Sequence, residues 1–368
     1  MTLPELMVGL AVGLFVAAIS ISTFVSTRTL NVVNSSSTRM TENARLATET
    51  LHTDLRSAGF AGCRTLQQRQ EPQANQSLKV MLVGGTDAGF IAEGSSGVLG
   101  YSGTGTAHSP ALPTALAAVT PAPLQNSDIV SVRVPADTVT WGVVATMAAP
   151  DAAPQLAPAT PGNTIQRGDA VLISNCKAAK VFQVTASDPA TTGVLEHATG
   201  TLTPGNLAWA TDPQEPKFNT DSNVYRVQTR HYYVAPSIQP SRLGTNSLWR
   251  LTVPAPGGGA LVPEEVAAGI DQLRISYGAK TDTSNPEMNV NQYFNAAALT
   301  SAATLGTSVA ERWDKVLSAR VQLIAATAQD NMAQGAQTYQ FAGSSVTASD
   351  RRLRSVFTEV VTLRNGAP

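Results

Sequence analysis

The residue types that carry chemistry in proteins are sparse and widely spaced along this chain of 368 residues. The four histidines, His52, His108, His197 and His231, show no HExxH-type pairing. No GxSxG elbow and no phosphate-cradling glycine loop occurs, so the patterns of metal-assisted hydrolysis, acyl transfer and nucleotide binding are missing. Cys63 and Cys176 allow one disulfide or two free thiols, and neither neighbourhood contains a redox or nucleophile motif. Asp282, Asn285, Glu287, Asn289 and Asn291 gather oxygen ligands suited to calcium, but without the EF-hand order. Arg167-Gly168-Asp169 runs straight into an apolar stretch and reads as a turn entering a strand rather than an integrin-type ligand. His231 beside Tyr232 and Tyr233 reads as an aromatic strand packed on a core rather than as the wall of a pocket. Lys and Arg number 25 against 26 Asp and Glu, and aromatic residues are 5%, so no basic patch or stacking platform for nucleic acid emerges. The expectation is a non-catalytic chain with no cofactor and no metal. One ionisable residue stands apart. Glu5 opens an uncharged run over 6–27, and a lone carboxylate near lipid is costly unless something pairs with it.

The element that positions Glu5 is a helix. At 1.5 Å per residue, the run 6–27 is long enough for a bilayer core of about 30 Å. A secretory signal peptide is the first rival, but it needs a basic n-region where this chain has Glu5. Gly9, Gly13 and Ala17 place a small residue at every fourth position, a ridge along which another apolar helix can approach closely; mere tolerance of glycine in a membrane helix is the alternative. Pro4 falls in the first turn, where its missing N–H costs little. Beyond the run, Leu30, Val33, Ser37, Met40, Ala44, Ala47, Leu51 and Leu55 recur at helical spacing. Arg28, Arg39, Glu42, Arg45, Glu49 and Asp54 occupy other faces. The Asn and Ser residues of 32–38 favour local melting or a bend, and Gly59 supplies a stop. A single helix over 2–58 would be about 85 Å long, and its apolar stripe needs a β-sheet of the same chain to cover it.

After Gly59 the pattern turns extended, in keeping with 28 Gly and 22 Pro scattered without period. Strands are expected over 128–134, 138–146, 169–174, 180–186, 223–234, 247–253, 272–277, 316–326 and 352–364, the last with a change of phase that marks a bulge. The stretches 84–123, 148–162, 185–216 and 254–263 read as loops, the first as a surface insertion. With an N-terminal membrane segment, the remainder lies outside the cytoplasm, where a Cys63–Cys176 disulfide would persist; two buried thiols are the alternative.

The start Thr2-Leu3-Pro4-Glu5-Leu6-Met7-Val8 resembles a mature type IV pilin just after the prepilin peptidase site. Further along, Gly168-Asp169-Ala170-Val171-Leu172-Ile173-Ser174-Asn175-Cys176, Arg230-His231-Tyr232-Tyr233-Val234, Ser247-Leu248-Trp249-Arg250, Gln272-Leu273-Arg274-Ile275-Ser276-Tyr277-Gly278, Arg351-Arg352-Leu353-Arg354-Ser355-Val356-Phe357 and Leu363-Arg364-Asn365 resemble the PilW family of minor pilins. The resemblance implies that Glu5 pairs with a neighbour's methylated N-terminal amine. Met1 stands where that family usually has Phe.

It also implies a low-abundance subunit that primes pilus assembly with other minor pilins and the major pilin, near the tip and with a tip adhesin. Such a subunit sits in the inner membrane with a periplasmic head before assembly, and in the extracellular fibre afterwards, where it serves motility, adhesion or DNA uptake. The expected fold class is α+β and pilin-like: a long N-terminal spine helix on a large antiparallel β-rich head. Its divisions are 1–27 for the membrane and filament-core half, 28–58 for the amphipathic half and 59–368 for the head. Two other functions share the helix: a pseudopilin of a type II secretion system, and a membrane-tethered periplasmic enzyme or binding protein.

Overall fold

The computed structural model describes residues 3–63, 78–83, 89–91, 97–158, 163–200, 202–239, 244–254, 260–281 and 289–363. Helix α1 (Leu3–Ser57) is a single α-helix of 55 residues, about 82 Å at the usual rise. The expected melting over 32–38 does not occur. The Ser and Thr hydroxyls there turn back onto the helix, Ser35 donating to the Val32 carbonyl and Thr38 to that of Asn34, so they do not compete for the helical N–H groups. Gly59, at φ +70°, ends the spine in the left-handed conformation, and its N–H donates to the Arg133 carbonyl at 3.0 Å.

Among the described residues fifteen strands follow: β1 (Leu78–Val80), β2 (Val98–Gly103), β3 (His108–Ser109), β4 (Ile129–Gly142), β5 (Ala170–Asn175), β6 (Ala178–Gln183), β7 (Asn223–Pro236), β8 (Asn246–Val253), β9 (Glu264–Ala268), β10 (Ile270–Ala279), β11 (Gln292–Phe294), β12 (Val316–Ala326), β13 (Thr338–Phe341), β14 (Ser344–Thr347) and β15 (Arg354–Thr362). The larger sheet has the order β1-β6-β5-β7-β4-β2-β3, with β8 paired to β7 and β9 paired to β8. β7 is its hub. Its first residues pair with β5, its later residues pair with β8 on that same side, and β4 runs along the other. The second sheet is antiparallel, β11-β10-β12-β15, and β13 and β14 form a separate hairpin.

Several expectations need correction. The two segments expected over 128–134 and 138–146 are one strand, β4, whose register against β7 shifts between Pro135 and Thr140; a proline without an N–H is accommodated at such an irregularity. Within 84–123, read as a loop, β2 is almost wholly buried and pairs with β4, because its small and apolar residues Val98, Gly100 and Ser102 fit a crowded interior. β15 pairs with β12 in unbroken register, so its change of phase is not a bulge. The odd-numbered Glu359 lies on the core side of this strand, where His52 of α1 is its hydrogen-bond partner. The head is also not wholly antiparallel, since β1 and β6 run parallel.

One core cluster joins spine and head. Met40, Ala44, Ala47, Leu51 and Leu55 of α1, with Ala58 just past its end, pack with Val130, Val132, Tyr232 and Val234 of the larger sheet and with Leu273, Ile275, Val321 and Leu323 of the smaller. The helix therefore fills the seam between the sheets. The alanines allow close approach and the two leucines supply most of the apolar area.

Candidate functional site

The two halves of α1 face different surroundings. From Met40 onward the inward stripe is buried, whereas Leu10, Leu14, Phe15, Ile21 and Phe24 are each more than half exposed. This outer half is long and apolar enough to cross a membrane, and among the described residues nothing covers its most apolar stretch. Several of its hydroxyls are satisfied within the helix. The Ser20, Thr23 and Thr27 hydroxyls donate to the Val16, Ile19 and Thr23 carbonyls, so lipid or an apolar helix meets these three groups already paired. A Cβ added at Gly9 or Gly13 would meet nothing within 4 Å, so the small-residue ridge faces open space on the isolated chain. Glu5 lies in α1, but its side chain, like Met1, is outside the described residues.

The inner half is held by more than apolar packing. Asp54, assigned to an outer face by its charge, is buried. It accepts hydrogen bonds from Arg230 Nη1 at 2.7 Å and from the Tyr232 hydroxyl at 2.5 Å. Burial first, and then the Asp54 charge, pushes the Tyr232 phenol above its usual range, so it stays a donor. Periodicity carried a usable signal: Asp54 follows Leu51 by three residues on the apolar stripe, and β7 supplies its two donors in alternation. On the adjoining flank, His52 Nδ1 and Glu359 Oε1 of β15 lie 2.5 Å apart, with side chains 30% and 31% exposed. Past the helix end, Cys63 and Cys176 form the expected disulfide, Cα atoms 5.1 Å apart, tying the chain after the spine to the turn between β5 and β6.

Most of the other described candidate residues are held by contacts within the head. His231 is fully buried; its Nε2 donates to the Gly89 carbonyl at 2.6 Å, which leaves Nδ1 to accept from the Ser131 hydroxyl at 2.6 Å. Burial holds its pKa down to about 4. His197 stacks on Trp209 with ring centroids 3.9 Å apart, Lys180 Nζ lies 4.4 Å over that indole, and burial depresses both titrations. His108, also lowered mainly by desolvation, faces the Ser127 carbonyl. Asp169 of the Arg-Gly-Asp tripeptide is buried and accepts from the Gln166 N–H, as a turn entering β5 requires. Asp282, Asn285 and Glu287 fall outside the described residues, while the Asn291 amide closes a loop onto Thr281. Among the described residues no group of three or more His, Cys, Asp or Glu could hold a metal ion.

Residues 231–365 match the family described as Type IV Pilus-assembly protein W, abbreviated PilW. No characterised protein sequence matches the chain. Among solved structures, a type IV-like pilin from Thermus thermophilus aligns over 55% of this chain and 86% of its own, with 15% identity and a TM-score of 0.22.

Proposed function

We propose, from the premise that this is a type IV pilus-related chain of the PilW family through residues 231–365, that it works as a minor pilin: a sparse, non-catalytic subunit that primes fibre assembly. The observation that carries the reading is the division of α1, one half sealed into the head and the other a bare apolar rod. Such a rod has two environments that satisfy it, a bilayer before assembly and a bundle of like helices after it. In this reading 1–27 is the membrane and filament-core segment, 28–58 the docking half and 59–368 the extracytoplasmic head.

Glu5 and the N-terminal amine of Met1, or of whichever residue processing exposes, form the assembly pair between neighbouring chains. A carboxylate and an amine, each penalised alone in an apolar bundle, are complementary when brought together. Gly9, Gly13 and Ala17 form the line of closest helix approach. A head this large would crowd a densely repeated filament, which favours the tip, beside other minor pilins and an adhesin, over the shaft.

The test is mass spectrometry of sheared, purified surface fibres. This chain should be present at low stoichiometry with a processed, methylated N-terminus. Its absence from fibres, with an unprocessed N-terminus in the membrane fraction, would overturn the reading. Glu5→Ala should reduce incorporation about tenfold or more, the consequence of leaving one charge of a buried pair alone, while the head's melting temperature stays unchanged. Normal incorporation would remove the pairing role.

A further inference from the structure

Among the described residues, the outer edge of β15 is a long strand edge that pairs with no other strand. Leu363 donates to the Leu317 carbonyl and Thr327 to that of Leu353, which sets the odd-numbered residues of β15 toward β12. The N–H and C=O groups of Val356, Thr358, Val360 and Thr362 therefore point away from the sheet. Among the described residues no strand is hydrogen-bonded on that side; the β13–β14 hairpin comes near only the start of the edge, where the Gln337 amide oxygen caps the Arg354 N–H at 2.6 Å. Natural sheets blunt such edges with prolines, lysines, bulges or very short strands. Here β1, β3 and β11 are short, but β15 has nine residues, unbroken register, and no Pro, Gly or Lys.

The flank beside this edge is also incomplete. Phe357 points toward the core yet is only partly buried, and the His52–Glu359 pair next to it remains about a third exposed. An added strand would cover both.

We propose that this edge receives an extended segment of a different pilus subunit by strand addition, its backbone bonding to Val356, Thr358, Val360 and Thr362. The proposal rests on the minor-pilin reading, because the edge lies alongside α1. A neighbour packed on the bare half of that helix is thereby brought to β15, and the two surfaces form one continuous interface. A second copy of this chain is the wrong occupant. Two antiparallel copies of β15 in one continuous sheet are related by an axis perpendicular to it. That axis reverses α1, which lies on the sheet face, so the two apolar rods would point in opposite directions and could not share a bilayer. The segment that fits alternates, with an apolar side chain beside Phe357 on the α1 face and β-branched or hydroxyl side chains beside Thr358 and Val360 on the other.

The experiment is hydrogen exchange of the full-length chain, in detergent alone and within purified fibres. Peptides from 354–362 should exchange about tenfold slower or more in the fibre. Val360→Pro removes one outward N–H and no bond to β12; it should keep the wild-type melting transition and be depleted severalfold from fibres, whereas Val360→Thr enters normally. Unchanged exchange at 354–362, normal entry of Val360→Pro, or protection that appears on self-association without other subunits would each overturn the proposal. Wild-type chain present in fibres with an unprotected edge sinks strand addition alone. Its absence from fibres sinks the pilin reading and this proposal together.

Discussion

His231 shows how burial decides what a residue can do. A solvated histidine binds its proton near pH 6.5, but inside β7 the imidazole has the Gly89 carbonyl and the Ser131 hydroxyl as its partners and is protonated only near pH 4. Above about pH 6.5 neither the folded nor the unfolded state holds that proton, so stability does not depend on it. As pH falls toward 4, the unfolded chain takes up a proton the fold refuses, and stability drops by about 3 kcal/mol across that window. Urea unfolding at pH 7.5 and 4.5 should show this loss. His231→Gln, whose amide can donate to Gly89 and accept from Ser131, should lessen the loss by about 2 kcal/mol. An identical pH dependence in the variant would refute the assignment. His197 and His108 are depressed in the same direction, so the variant should flatten the profile only in part.

Among the elements, the junction between the spine and β2 is the most demanding. Gly97, just before β2, has φ +63°, and a Cβ there would lie 2.4 Å from the Gly59 backbone nitrogen. The helix stop and the strand start are thus two glycines in contact, both also tied to the Arg133 main chain, which accepts from Gly59 and donates to Gly97. Gly97→Ala combines left-handed strain with a backbone clash and should cost about 2 kcal/mol or more, read as a lower denaturation midpoint. A variant as stable as wild type would show that this junction yields. Neither glycine could be matched to the other from the chain alone, because their contact depends on where α1 meets the sheet.

At the scale of the molecule, the disulfide and the α1 seam hold the head to the spine. Cys63 and Cys176 are 113 positions apart. Replacing both by alanine should lower unfolding free energy by about 4–5 kcal/mol in the chain-entropy account, measured by denaturant titration. A shift under about 1 kcal/mol would mean that the seam alone carries the attachment. The same scale separates what was legible in the residues from what was not. Local, periodic information determined the apolar rod, the stripe that docks it, the helix stop at Gly59 and most long strands, because helical and extended repeats depend on neighbours a few positions away. Tertiary structure alone decided that Asp54 is buried, since its partners Arg230 and Tyr232 lie 176 and 178 residues away. It decided likewise that β2 belongs to the interior of the larger sheet and that β15 is left at an edge. Pairing between distant strands leaves no period in a single chain, and whether a charge can be buried depends on the donors that the fold brings to it.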